Sequence, residues 1–465
     1  VTEITQPLRI MLVDSVFGRG GAAAITSSLR LGLTSRGHKV AHVVGHCADP
    51  TAPVISMQSK SGRLAKALGY GSAMLPGHLG HLTSRLAVRL QSQKAASPGL
   101  ENFNYPGSRD LLRLMSPQPD VVHCHNLHGD YFDLRYLPKL SSRVPTLLTL
   151  HDAWLLAGHC AHSFGCERWI TGCGNCPDLS IPPAIPIDRT AENWSRKRDI
   201  FSRSRLFITT PSRWMMEKVG RSILSMGLVD SHVIPNGVDL ETYRPAEGRL
   251  AARRELGLGL DDFVVVFAAN GIRDNVWKDM ATLRRALDFA SRALCGQVRV
   301  RFLALGESAP TERAGEATLE FVPYVSDSAQ VARYFRAASV YAHAAKADTF
   351  PTTILEALAC GTPIIATAVG GIPEQVRSLA LPAISVGTPS YSIDDATGIL
   401  TAPGDADGLA AAMAYLSRDV ALVEKLGRNA RLDAKRRFDV RRQVDAYVKW
   451  YRLMLERSSP SPMFA

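Results

Sequence analysis

The sequence predicts an α/β protein made of two doubly wound, Rossmann-like domains. Three observations carry that prediction. Short apolar runs recur along the chain, among them Arg9–Val13, Phe263–Ala268 and Ile364–Ala368, and such runs suit strands buried on both faces of a parallel sheet. Segments of helical character alternate with them across short loops marked by glycine or proline, which is the βαβ pattern. The alternation begins afresh near residue 260, so the 465 residues hold two such series.

Composition is ordinary for a globular protein, 46% hydrophobic and 21% charged. No apolar run reaches the roughly eighteen residues of a spanning helix. The opening VTEITQPLRIML lacks a basic segment followed by an apolar one, so no secretory signal is expected. A cytoplasmic location is the expectation. The net charge of +11 favours an anionic partner, whether nucleotide, lipid headgroup or nucleic acid.

In the first series, the strand Arg9–Val13 leads through Gly20-Gly21 to a helix over Ala22–Arg36, closed by Gly37, and to a strand over His38–Val44. A glycine-rich turn between strand and helix lets a ligand approach the backbone. Pro50–Leu100 contains no Asp or Glu and carries six Lys and Arg. Leu64/Leu68 and Leu82/Leu86/Leu90 suggest basic amphipathic helices, which lie on an anionic membrane surface (through 58–95) or form a solvated basic face. Asp120–His125 and Pro145–Leu150 are strands whose ends carry His125 and Asn126, and His151 and Asp152, at the mouth of a parallel sheet.

Cys160, Cys166, Cys173 and Cys176 crowd into the loop 158–178. Structural zinc, reduced packing thiols and disulfides are the three readings of that spacing. Thr190–Arg203 and Arg213–Leu224 read as helices around a strand Leu206–Thr210, and His232–Tyr243 as a turn-rich crossover.

In the second series, Val298–Leu305, Leu319–Pro323 and Val340–Ala345 read as strands, and Val331–Ala338 as a helix. Gly398–Pro403 and Asp405–Leu416 form a last βα unit, followed by one long helix over Val423–Leu455. The stretch Lys346–Val376 is the most informative. Pro351 presets the first turn of a helix over Thr352–Ala359, and Gly361 closes it. The free N–H groups at that helix start suit a phosphate. Asp348 and Glu356 stand close by. A carboxylate repels phosphate but accepts strongly from hydroxyls, so a diphosphate flanked by two polyols, a nucleotide sugar, fits the pair. Taken alone, the same two residues read more readily as a surface Asp and a solvated helical Glu.

Asp348-x7-Glu356 followed by Ala357-Leu358-Ala359-Cys360-Gly361-Thr362-Pro363-Ile364 resembles the E-x7-E and EAMACG-x-PV signature of the retaining family-four glycosyltransferases. Asp replaces Glu at the first acidic position. Residues 120–160 resemble the exopolysaccharide and capsule branch, which reads P-D-x-x-H-x-H-N and then T-x-H-D-x-W-x-x-x-G-x-C. The resemblance implies the GT-B fold, two Rossmann-like domains facing a central cleft. It divides the chain into an acceptor-side domain over 1–240, a donor domain over 241–440 and a C-terminal helix, 441–465, that packs back on the first domain. It implies retaining transfer of a sugar from a UDP- or GDP-sugar to a glycan or lipid-linked acceptor in surface polysaccharide synthesis, without a catalytic cofactor.

By the same resemblance Arg273 and Lys278 are the diphosphate cations, and Glu356 holds the ribose. Gly20, Gly21, Tyr324, Val325, Asp348, Phe350, Pro351, Thr352 and Thr353 complete the donor site. His151, Asp348, Arg273 and Lys278 serve the transfer, and His125, Asn126 and Asp152 the acceptor. No nucleic-acid partner is expected, and a location peripheral to the inner face of the cell membrane fits a lipid-linked acceptor. A nucleotide-sugar epimerase of the same fold and a zinc-bearing polyanion-binding protein are the competing classes.

Overall fold

Seven strands form the first sheet: β1 (Arg9–Val16), β2 (Lys39–His46), β3 (Ile55–Ser56), β4 (Val121–Cys124), β5 (Thr146–Thr149), β6 (Leu206–Thr210) and β7 (Leu228–Val233). Their order is β3-β2-β1-β4-β5-β6-β7, and every pairing is parallel. In the computed structural model, residues 6–458 are described apart from 19, 58–96, 247, 382, 383 and 385. The basic segment 58–95 therefore lies outside the described residues. Strands β4, β5 and β6 are buried throughout, as the inner strands of a two-sided parallel sheet are. Strand β7 is unanticipated. It is an edge strand whose Asp230, Ser231 and His232 break the apolar signal.

The second sheet has nine strands: β8 (Phe263–Ala268), β9 (Val300–Leu305), β10 (Glu312–Ala314), β11 (Ala317–Val322), β12 (Val340–His343), β13 (Ile364–Thr367), β14 (Ser378–Leu379), β15 (Ser390–Tyr391) and β16 (Gly398–Thr401). The order is β10-β11-β9-β8-β12-β13-β16-β14-β15, with only β10 antiparallel to its neighbour. Within it, β11-β9-β8-β12-β13-β16 repeats the 3-2-1-4-5-6 winding of a dinucleotide-binding fold. Two apolar clusters cover this sheet. One holds Phe267, Phe302 and Leu409, the other Phe335, Tyr341 and Leu358.

The chain forms two compact units. One comprises Val1–Thr210, Met215–Val233 and Ala446–Ala465, the other Pro211–Trp214 and Ile234–Asp445. The single helix expected over Val423–Leu455 is two helices, Val420–Arg437 and Val440–Ser458. The break is made by a segment distant in the chain. Val238 N–H donates to the Phe438 carbonyl (2.7 Å) and the Val238 carbonyl accepts from Val440 N–H (3.1 Å), so these groups leave the helical ladder. Gly237 permits the approach, because a Cβ there would lie 2.5 Å from Val440 Cα. No helix among the described residues is long and apolar enough to cross a membrane.

Candidate functional site

In an open parallel sheet, ligands sit beyond the carboxyl ends of the strands where the strand order reverses. In the second unit that place lies between β8 and β12. The loops after these strands are stitched together: Asp279 N–H donates to Ala344 O (3.1 Å) and Lys346 N–H to Trp277 O (2.9 Å). Lys278 is thereby brought beside the loop of Asp348, and its ammonium donates to Asp348 Oδ2 (2.6 Å) and to His343 Nε2 (3.1 Å). Burial alone would raise the Asp348 carboxyl, but the Lys278 ammonium holds it well below the usual carboxylate range. Asp279, next to Lys278, caps the helix Met280–Ala293 by accepting from Thr282 N–H (3.2 Å).

Arg273 sits on Glu307, just beyond the end of β9. One carboxylate oxygen accepts from the backbone N–H of Ile272 (2.7 Å) and Arg273 (2.9 Å), and the other pairs with the guanidinium. Both expected diphosphate cations therefore have a carboxylate partner within the protein. Tyr324 is 55% exposed beyond the end of β11, and Val325 follows it half-buried.

The helix Thr352–Ala359 opens at Pro351, whose extended ψ of 126° ends the loop. Thr353 in its first turn accepts from Tyr341 OH (2.9 Å). The Phe350 side chain is buried against Phe438, and the Phe350 and Pro351 carbonyls accept from Asn236 (3.4 Å) and Gln375 (2.9 Å). Phe350 is thus a packing anchor for the loop. Glu356 is half-buried, and burial pushes its carboxyl up to about 7 against the pull of Thr352. The loop of Asp348 is pressed on by the next one. Gly370 has φ +57°, and a Cβ there would lie 1.8 Å from the Asp348 carbonyl oxygen.

The carboxyl end of the first sheet carries a second polar cluster. Gly20, at φ 88°, is the residue before the helix Gly21–Ser35, and the space beside it is open. His125 Nδ1 and His151 Nε2 share a hydrogen bond (3.0 Å) with their rings stacked. His125 is 1% exposed, so it supports His151 from below. Burial pushes the His151 imidazole down to about 4, and that of His125 well below its ordinary value, so both are neutral near pH 7. Asp152 pairs with His128 (2.8 Å) and caps Trp154 N–H (2.9 Å). Burial opposes its ionisation, but His128 brings it down to about 2. The Asn126 carbonyl accepts from Tyr131 OH (2.6 Å). His123, one turn of the pleat before His125, bonds Tyr451 OH (2.7 Å) and Thr149 Oγ1 (2.6 Å).

Cys160, Cys166, Cys173 and Cys176 line one small cavity with His159 and Trp169. All four are free thiols, so the disulfide reading finds no bond here. Among the described residues, no three or more His, Cys, Asp or Glu side chains are grouped as a metal would need. The neighbouring Lys197 is fully buried. Its ammonium donates to Glu101 (2.8 Å) and to the Trp154 and Ala157 carbonyls (2.9 Å each), and lies 3.8 Å from the Trp154 ring centre.

His343, Tyr341, Glu307 and Lys197 were not singled out by sequence reasoning. The one available signal was a histidine inside the otherwise apolar run VYAHAA, where a polar group must find a partner.

Residues 19–242 match the family model described as Glycosyltransferase Family 4, and residues 308–433 the model described as Glycosyl transferases group 1. The putative colanic acid biosynthesis glycosyl transferase WcaC of Escherichia coli is 26% identical over 257 residues, covering 54% of this chain and 60% of that one. The D-inositol 3-phosphate glycosyltransferase of Segniliparus rotundus is 36% identical over 155 residues, 31% of this chain and 33% of that one. The matches to these two curated relatives thus span between a third and three fifths of their lengths. Among solved structures, sucrose-phosphate synthase from Thermosynechococcus elongatus superposes with a TM-score of 0.60 at 18% identity, over 96% of this chain and 99% of that one. HepE of Anabaena in complex with UDP gives a TM-score of 0.57 at 17% identity, over 96% and 100%. The fold is GT-B, and each of the two matched regions carries the signature of a glycosyltransferase domain.

Proposed function

We infer that this chain is a retaining family-four glycosyltransferase that takes a sugar from a nucleoside diphosphate donor, a UDP- or GDP-sugar, and passes it to a glycan or lipid-linked acceptor in surface polysaccharide assembly. The observation that carries the reading is the convergence of Lys278, Asp348 and the start of the helix Thr352–Ala359 at the point where the second sheet reverses its strand order. HepE, of the same fold, was solved with UDP and with UDP-glucose, and the WcaC resemblance favours polysaccharide synthesis.

In the proposed reaction the bond from the sugar's anomeric carbon to the leaving phosphate oxygen breaks. The acceptor oxygen bonds that carbon on the same face, and its proton passes to the leaving phosphate oxygen. The diphosphate gains charge as it leaves. Lys278, Arg273 and the helix N–H groups would offset that charge in fixed positions, where they need little reorganisation. Their carboxylate partners, Asp348 and Glu307, keep both cations oriented before the donor arrives. Glu356 would accept from the ribose hydroxyls. His151 would act toward the sugar as a neutral imidazole. Location at the inner face of the membrane belongs to the same proposal.

No cofactor enters the transfer step. A structural zinc on Cys160, Cys166, Cys173 and Cys176 is a separate proposal, supported by their shared cavity. It requires these side chains to turn toward the ion, and elemental analysis tests it.

Thermal stabilisation by UDP, GDP, ADP and their sugar conjugates tests the donor reading, on the wild type, Lys278→Ala and Glu356→Ala. A ligand that binds only the native state raises stability by mass action. The expected result is a shift with one nucleotide that both variants lose. No shift with any nucleotide would sink the reading. A free epimerised nucleotide sugar, with no acceptor-linked product, would replace it by epimerisation.

A further inference from the structure

We propose that His343 is a positioning residue that fixes the direction of the Lys278 ammonium and ties it to the first turn of the helix Thr352–Ala359. The proposal deepens the donor-site reading and rests on it.

His343 is the last residue of β12 and is 0% exposed. An imidazole buried in a strand needs partners for both nitrogens. Here both have them. Nε2 lies 3.1 Å from Lys278 Nζ, and Nδ1 lies 3.0 Å from Tyr341 OH. The direction of each bond follows from valence. An ammonium has no lone pair, so Nε2 must accept. The ring proton then sits on Nδ1 and is donated to Tyr341, whose own O–H continues to Thr353 Oγ1 (2.9 Å). Asp348 Oδ2 lies 3.3 Å from Nε2, the separation of two acceptors gathered round one ammonium.

Two consequences follow. Nζ is tetrahedral, so fixing two of its N–H bonds, one on Asp348 and one on His343, fixes the direction of the third. Rotation about the last side-chain bond is removed before any ligand binds, which lowers the entropy lost on binding. A continuous hydrogen-bonded chain, Lys278–His343–Tyr341–Thr353, buried at His343 and Tyr341 and half-buried at its ends, also links the cation to the helix terminus. The two groups suited to a diphosphate thus share one support.

The choice of histidine has a physical reason. A second carboxylate would orient Lys278 equally well but would add negative charge beside the diphosphate. A neutral imidazole orients the ammonium without cancelling its charge. Burial, and then Lys278, push the His343 imidazole down to about 4, so it remains an acceptor near pH 7.

The test uses the full chain in four forms: wild type, Lys278→Ala, His343→Leu and His343→Gln. Isothermal titration with UDP and UMP, GDP and GMP, and ADP and AMP measures the affinity added by the second phosphate. For the wild type we expect a diphosphate to bind more tightly than its monophosphate, and Lys278→Ala to erase that preference. His343→Leu should lower diphosphate affinity about tenfold, the size of one lost bond to a charged group, with monophosphate affinity unchanged. His343→Gln, whose amide reaches the place of Nε2, should restore most of the loss. Nitrogen-15 spectra of the imidazole should report the proton on Nδ1, and the Nε2 resonance should move in Lys278→Ala. Wild-type diphosphate preference in His343→Leu, or a proton on Nε2, overturns the proposal and leaves the donor reading standing. A wild type that binds no nucleotide overturns the donor reading and the role toward diphosphate. The spectra still decide the His343–Lys278 geometry in that case, and also if His343→Leu fails to fold.

Discussion

Glu356 stands in the helix Thr352–Ala359 with its carboxyl pushed up to about 7 by burial. The carboxyl of the unfolded chain titrates near 4.5. Between those values the folded state holds a proton that the unfolded state has lost, so stability falls as pH rises through the window and the full penalty stands above it. At about 1.4 kcal/mol per unit, the penalty is on the order of 3 kcal/mol. Glu356→Gln removes it. The expected outcome is a variant more stable than wild type in urea at pH 8, with little difference at pH 4, that has lost nucleotide stabilisation. Equal stability at pH 8 would mean the carboxyl is solvated and not poised for hydroxyls. At this scale the sequence was partly legible. The Asp348 and Glu356 spacing and the Lys278 position follow from motif. The Lys278–Asp348 contact spans 70 residues and the Lys278–His343 contact 65, and no local pattern encodes either.

At the scale of elements, the strands most readable from sequence are those buried on both faces. Such a strand is apolar along most of its length, as FVVVFA is throughout in β8. Edge strand β7, only partly buried along its length, leaves only a mixed pattern. The break at Phe438–Asp439 was unreadable for another reason. It comes from Val238, two hundred residues earlier, and no Gly or Pro marks it. The loop that carries Trp154 and the four cysteines has little regular structure, and Lys197 holds it through two carbonyls, Glu101 and the Trp154 ring. Lys197→Met would leave Glu101 buried without its cation. Breaking such a pair costs about 3–5 kcal/mol, whereas replacing both members by neutral groups costs far less. We expect a large drop in Tm for Lys197→Met and a partial recovery in the double variant Glu101→Gln with Lys197→Met. A double variant no better than the single would move the weight of the argument from the ion pair to the carbonyl bonds and the ring.

At the scale of the whole molecule, the last helix decides what the first unit is. From Ala446 onward it belongs to that unit, with Tyr447, Trp450, Tyr451 and Met454 all buried. Tyr451 bonds His123 (2.7 Å) on β4, and Tyr447 bonds Thr149 (3.1 Å) on β5. The centre of the first sheet is thus sealed by residues more than 290 positions later in the chain. Each buried side chain contributes about 1.5–3 kcal/mol, so the four together match the 5–15 kcal/mol by which a whole domain is stable. Removing the chain after Asp445 should therefore unfold the first unit, while the second keeps its nine-stranded sheet and both of its apolar clusters. Hydrogen exchange measures the difference directly. Protection in β1, β4, β5 and β6 should fall to that of an unfolded chain, and protection in β8, β9, β12 and β13 should persist. Nucleotide stabilisation should survive as well, because Arg273, Lys278, Glu356 and the helix Thr352–Ala359, proposed to hold the diphosphate and ribose, all lie in the second unit. A truncated chain that keeps full protection in β4 and β5 would show that the first sheet closes its own core, and that the helix is an addition to it.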